Sequence, residues 1–343
     1  MSDVSANVPQ ATPGPDVVCV IVTYAERRAL LRTVLDALPA QGVRRVVVVD
    51  NGAHWPVRAE LAASYGDFVD VVEMGHNTGS APGYAAGIQC ALDLGAEFIF
   101  LLDDDNKPER GALPILLKAY AELARNTPRD RLAVLAFRPP HQSDVAAGVP
   151  LHRINPRPSS FLGFHVLDIP YKLWRRTSWG RPRGPMPGLV QLSVGPYSGL
   201  LFKRDLVTAI GLPNPALVLY IDDTEFTWRI TANGGRIVLI TSARLVDLES
   251  SWNTKAQFST SMAGWLDGSG DFRAYYGMRN RAYFDARYLC RHTPVFMLNQ
   301  GIYLILLWCL AQRHRRQARY WLLLKAMDDG LAEQLGVHPE FPL

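Results

Sequence analysis

Residues 98–105 read FIFLLDDD: five apolar residues, Phe98 to Leu102, run straight into Asp103-Asp104-Asp105. A short run that is apolar throughout, not alternating, is what a strand covered on both faces requires. Working outward, Val17–Thr23 (VVCVIVT), Val43–Val49, Val69–Glu73 and Leu132–Phe137 read the same way. Between them, Glu26–Leu38, Pro56–Tyr65, Ser80–Leu94 and Pro108–Arg125 read as helices. Strand, helix, strand, helix at this spacing predicts βαβ units and a parallel sheet.

Composition sets the outer limits. With 343 residues, 48% of them apolar and 20% charged, the chain is neither disordered nor fibrous. Its length suggests about two domains. Cys19, Cys90, Cys290 and Cys309 are far apart and form no CxxC pair. That excludes a disulfide scaffold and a thiolate zinc site, and it fits a reducing, cytoplasmic compartment. The net charge of +4 comes without a dense basic stripe, so no nucleic-acid partner is expected.

Residues 1–15 are small, polar and Pro-containing, and read as a disordered leader with no signal peptide. Residues 16–137 form a first half of the main domain and 138–250 a second. The stretch Arg138–Pro187 is rich in Pro, Gly and Arg, and predicts long loops with short elements. Order returns with strands at Leu189–Val194, Leu200–Lys203 and Arg236–Thr241, a helix from Asp205, and a loop feeding a helix over Tyr220–Asn233. Residues 251–343 read as a helical C-terminal subdomain. Within them, Pro294–Ala311 is 18 residues without a charge, followed by Arg313-His314-Arg315-Arg316. Three readings stay open for it: a membrane span, an interfacial helix giving peripheral contact through 294–319 at the cytoplasmic face of the inner membrane, and a core helix of the fold or of a homo-oligomer.

The informative positions are those where polar residues end the apolar runs. Thr23-Tyr24, Asp50-Asn51, His76-Asn77-Thr78-Gly79 and Asp103-Asp104-Asp105 each follow a predicted strand, so a parallel sheet sets all four at its carboxyl edge, where such sheets bind ligands. Two unit charges about 4 Å apart repel by roughly 4 kcal/mol at an effective dielectric near 20. A solvated acidic turn would relieve this; a bound hard cation completed by substrate phosphates accounts for the triplet better. The sequence has neither GxxxxGK[ST] nor GxGxxG after the first strand, which argues against a P-loop and a dinucleotide site. Gly79, Gly83 and Gly87 fit close helix packing as well as approach to a ligand. Asp222-Asp223-Thr224-Glu225 fits a helix N-terminus, and equally a carboxylate poised to take a proton from a hydroxyl.

Here the motifs reach a resemblance. VCVIVTYAERRALLRTVLDAL, VVVVDNG, HNTGSAPGYAAG, FIFLLDDDNKP, SGLLFKRDL and YIDDTEFTWRI, in this order over roughly Val17–Arg244, resemble family 2 glycosyltransferases. YIDDTEF, followed by YYGMRNRAYF, is similar to the bacterial galactofuranosyl- and rhamnosyltransferase branch. The resemblance implies a GT-A α/β fold, a Rossmann-like, mostly parallel sheet flanked by helices. It implies a transferase moving a sugar from a nucleotide-sugar donor to a glycan or lipid-linked glycan acceptor, with Mg²⁺ or Mn²⁺. Thr23, Tyr24, Asp50, Asn51, Asn77, Gly79, Asp103 and Asp104 are then implied on the donor, Asp103 and Asp105 on the metal, and Asp223, or alternatively Asp222, as general base. Where the galactofuranosyl branch carries a metal-binding histidine, this chain has Val246-Asp247-Leu248-Glu249, so Asp247 becomes a candidate ligand. Arg279 and Arg281 are candidate acceptor or phosphate contacts. Trp174, Trp179 and Trp252 could stack on sugar faces or pack in a core. A non-catalytic nucleotide- or carbohydrate-binding module and a nucleotidyltransferase that makes the sugar nucleotide are the alternatives. TYAERRALLRT lacks the Gly-rich loop the latter needs.

Overall fold

The computed structural model describes residues 15–180, 185–249, 260–268 and 270–343. The expected leader falls almost wholly outside these, as does Trp252. Among the described residues, nine strands form one sheet: β1 (Val17–Ala25), β2 (Arg45–Ala53), β3 (Val69–Glu73), β4 (Phe98–Asp103), β5 (Asn106–Pro108), β6 (Leu132–Phe137), β7 (Leu189–Leu192), β8 (Leu200–Lys203) and β9 (Arg236–Asp247). The helices are α1 (Arg28–Leu35), α2 (Val57–Tyr65), α3 (Ser80–Asp93), α4 (Ala112–Leu123), the short α5 (Ser143–Ala146), α6 (Leu151–Ile154) and α7 (Ile169–Trp174), then α8 (Arg204–Ile210), α9 (Asp222–Ala232), α10 (Ser261–Asp267), α11 (Asp271–Phe284), α12 (Thr293–Arg313) and α13 (Gln317–Leu331).

The strand order is β3-β2-β1-β4-β8-β6-β9-β5, with β7 pairing β9. β1, β2, β3 and β4 are parallel, as the βαβ reading requires. The sheet as a whole is mixed, because β8 enters antiparallel between β4 and β6, and β5 and β7 both run antiparallel to β9. A four-residue strand such as β8, buried and apolar, carries no sequence mark of its direction. Two boundaries also move. α4 starts at Ala112, not Pro108, because Asn106–Pro108 pairs with the far end of β9. That strand runs six residues beyond the predicted Thr241 and brings Asp247 opposite Asn106.

Period-two alternation divides the core between the two faces of the sheet. Val17, Cys19 and Ile21 pack with Leu31, Val34 and Leu35 of α1 and Leu113 and Leu116 of α4. Val18 and Val20 face the other way, toward Tyr84, Ile88 and Ala91 of α3 and Phe226 and Ile230 of α9. A third cluster joins Phe161, Phe164 and Val218 to Tyr275 and Tyr276 of α11, Tyr303 and Leu307 of α12, and Leu323 of α13.

Gly83 and Gly87 let α3 lie close on the sheet: a Cβ on Gly87 would come 2.4 Å from Val20 Cγ1 and 2.9 Å from Val49 Cγ2. Helix packing therefore accounts for both glycines. Gly87→Ala forces that helix off the strands, and should lower folding stability by about 1–3 kcal/mol, read from urea unfolding.

Candidate active site at the carboxyl edge of the sheet

Register places the polar strand ends side by side. Thr23 lies opposite Asp50, and Val22 opposite Asp103. From that row the three adjacent carboxylates part company. Asp104 turns inward and is buried, accepting from Thr23 Oγ1 at 2.8 Å and Arg27 Nε at 2.8 Å. Asp103 and Asp105 stay at the edge, their side chains 41% and 21% exposed. Tyr84 donates to Asp103 Oδ1 at 2.7 Å. Burial raises Asp104 to about 7 even against Arg27, whose charge pulls the other way. Asp105 is raised as well, by burial first and then by Asp103.

Two arginines absent from the sequence reading hold this cluster. Arg27 reaches Asp104 at 2.8 Å, Asp105 at 2.9 Å and Glu249 at 2.7 Å. Arg138, itself buried, reaches Asp247 at 2.9 Å and Asp103 at 3.5 Å. The rule that singled out the acidic triplet, a polar residue ending an apolar strand, also applies to Arg138 after Leu132–Phe137. Five carboxylates thus face two guanidinium groups, leaving a surplus of negative charge. Asp247 does arrive beside the triplet, but its Oδ1 accepts from Arg138 and from Asn106 Nδ2, and its Oδ2 lies 3.6 Å from His141 Nε2.

The second acidic cluster opens α9. Asp222 is buried and accepts from Ser80 Oγ at 2.8 Å. Asp223 is half-buried, accepts from Thr224 N at 2.6 Å, and lines a cleft of about 340 Å³ with Arg138, His141, Asn155 and Pro196. Burial raises both carboxyls above the ordinary range, and Asp223 adds to the rise at Asp222. The helix dipole favours acids in this first turn, so capping and chemistry coexist here. The loop before it is strained: Val218, Tyr220 and Ile221 have φ of 65°, 66° and 64°, a region costly for β-branched residues.

That strain explains several residues expected on ligands. A Cβ on Gly79 (φ 90°) would strike Val218 O at 2.1 Å, so the backbone of this loop, not a ligand, fills the space beside it. Asn51 and Asn77 shape the same corner: Asn51 accepts from Thr78 N and donates to Gly79 O, and Asn77 accepts from Gly79 N. Thr23 is fully buried against Asp104. Asp50 is half-buried and accepts from Ala53 N. Tyr24 remains at the rim, with Arg27 over its ring.

Arg279 is the clear correction. Arg279 is 1% exposed and donates to Gly336 O and Leu217 O. Its neighbour Asn280 donates to Leu217 O, Leu219 O and Tyr220 O, at 2.6 to 3.0 Å. Arg281 is paired with the buried Asp285. The Arg-Asn pair therefore clamps the strained loop and touches no open cleft. Trp174 and Trp179 are exposed, at 51% and 83%, and neither lines the Asp223 cleft.

With these acids gathered at the sheet edge and at the start of α9, the comparisons give the class: the chain belongs to glycosyl transferase family 2 and is a glycosyltransferase. The model of that family, "Glycosyl transferase family 2", matches residues 18–147. The chain is 30% identical over 233 residues to galactofuranosyltransferase GlfT1 of Mycolicibacterium smegmatis, covering 64% of this chain and 67% of that protein. It is 30% identical over 235 residues to the same-named protein of Mycobacterium tuberculosis H37Rv, covering 64% and 65%. The match thus spans about two thirds of these relatives. Among solved structures it is similar to GalNAc-T7 with UDP, GalNAc and Mn²⁺ (TM-score 0.49, 14% identity, 92% of this chain and 57% of that one) and to S. aureus TarS (TM-score 0.43, 16% identity, 80% and 44%). Neither structural likeness bears on the chemistry of this site. Family membership replaces the binding-module and nucleotidyltransferase alternatives.

Asn280→Ala leaves Leu219 O and Tyr220 O of the strained loop without their side-chain donor, while Leu217 O keeps Arg279. It should cost about 2–3 kcal/mol in denaturant unfolding and slow sugar transfer more than it weakens donor binding.

Proposed function

We propose that the protein is an inverting, metal-dependent transferase. It moves a sugar from a UDP- or dTDP-linked donor, such as UDP-galactofuranose or dTDP-rhamnose, to a hydroxyl of a glycan or lipid-linked glycan. The observation that carries this reading is the position of Asp223, facing the cleft at the first turn of α9, while its twin Asp222 is turned inward to Ser80. The acceptor enters the cleft, and its oxygen attacks the anomeric carbon as Asp223 takes the proton. The bond from that carbon to the diphosphate oxygen breaks on the opposite face.

The metal reading passes a test of charge and donor type. Among the described residues, no three acidic, histidine or cysteine side chains form a ready-made cage. Asp103 and Asp105 offer two edge carboxylates in a cluster with surplus negative charge, which fits a hard ion completed by waters and phosphates. They would hold Mg²⁺ or Mn²⁺, which would supply charge neutralisation at the leaving diphosphate. Arg27 pairs with Asp105 and Arg138 with Asp103, so the two arginines would border the bound ion. Asp247, engaged with Arg138, steadies that arginine beneath the site.

Three outcomes test the reading. Asp223→Asn should cut transfer at least about a hundredfold while calorimetric donor affinity stays within about twofold; full activity would refute the base. Asp105→Ala should abolish the difference in donor affinity measured with and without EDTA. Because the base works ionised and its carboxyl is raised, kcat/KM should fall as pH drops, with an acid limb well above the usual carboxylate range.

A further inference from the structure

α12 is 21 residues long, has no charge before Arg313, and is only 28% buried over its apolar window. One stripe, Phe296, Asn299, Tyr303, Leu307 and Ala311, is buried against the rest of the fold. Asn299 fixes it there, donating to Ser159 O at 2.8 Å and accepting from Val166 N at 2.9 Å. These bonds and the buried stripe hold α12 against the rest of the protein. The opposite stripe is apolar and open: Met297 is 63% exposed, Ile305 64%, and Leu298, Leu306 and Cys309 are exposed with them.

The surroundings of that stripe say what covers it. At its C-terminal end Trp308 packs on Trp321 of α13, and Trp321 is 58% exposed. Beyond them Arg313, Arg315 and Arg316 follow in close order. Arg315, Arg316 and Arg319 also line a cavity of about 330 Å³ with Asp267 and Asp271. Arg316 and Arg319 pair with those two acids, and Arg315 has φ 56° and is exposed. At the other end Val166, bonded to α12, precedes Leu167, another exposed apolar side chain. An open apolar stripe bordered by tryptophans and arginines is the composition of a helix that lies in the interface of an anionic bilayer.

We propose that this face of α12 docks on the surface of an anionic lipid bilayer, with Arg315 and the adjoining cavity receiving lipid phosphate. The docking does not depend on the donor or base assignments. It gives the acceptor a source, since the segment 154–166 runs from the Asp223 cleft, at Ile154 and Asn155, to α12 at Ser159 and Val166. On the proposed function, a lipid-linked acceptor then reaches the cleft from the membrane side.

The test uses the full chain labelled at Cys309 with a polarity-sensitive fluorophore, and vesicles of phosphatidylcholine alone or of equal parts phosphatidylcholine and phosphatidylglycerol. Co-flotation and a blue shift of the label should appear with the anionic vesicles and be at least about tenfold weaker with the neutral ones. Arg315→Glu with Arg316→Glu should reduce binding to anionic vesicles by at least about tenfold. Met297→Glu with Ile305→Glu should abolish it, while unlabelled protein keeps its donor affinity as proof of folding. Equal binding by all variants, no binding by the wild type, or a wild-type dimer that Met297→Glu with Ile305→Glu dissociates would each overturn the proposal. A failure of transfer with intact vesicle binding would instead count against the function proposed for the cleft.

Discussion

The structure depends on how a crowd of carboxylates is held at one edge of a sheet. Asp103, Asp104, Asp105, Asp247 and Glu249 arrive from two strands and a following loop, and would repel one another without Arg27 and Arg138 between them. Each arginine ties distant parts of the chain together. Arg27 sits just past β1 and reaches across to the end of β4 and to Glu249 after β9. Arg138 leaves β6 and meets both β4 and β9. A buried guanidinium bridging several acids costs desolvation, and removing either partner leaves a stranded charge. The arginines therefore act as internal cations that fix the distance between the two halves of the sheet.

The second constraint is the loop Leu217–Ile221. It is squeezed between two unrelated demands. Val218 O receives Ala81 N, at the start of α3, and occupies the space that Gly79 leaves. From the other side Asn280 and Arg279 of α11 gather its carbonyls. The start of α3, the loop before the acid pair and the C-terminal helices are thereby one mechanical unit. The helical extension thus helps to hold the loop that leads into α9.

Much of this could be read from the residues, for identifiable reasons. The runs in β1, β2 and β4 are apolar at every position, and covered parallel strands leave that signature. The polar residues ending them fell at one edge because parallel strands share an edge. What stayed hidden was of another kind. The reversed β8 and β7 look like any short apolar strand. The extension of β9 to Asp247 depends on pairing with Asn106–Pro108, a tertiary partner that no local pattern announces. Asp104 turns inward in the tight turn between β4 and β5, and a triplet of identical letters conceals which member does so. Arg279 and Asn280 lie in a Tyr-rich stretch that invites a ligand, and only the fold reveals that their donors are committed to backbone carbonyls.

The left-handed residues of the loop have one more consequence. Glycine would sit at Val218, Tyr220 or Ile221 without backbone strain, so a search for more stable variants would be drawn to these positions. Each such exchange would also remove a side chain that holds the turn in a single shape: Val218 packs in the third core cluster and Tyr220 at its margin. Selection for heat resistance and selection for turnover would pull this segment in opposite directions, a trade-off located in five residues and not spread over the fold.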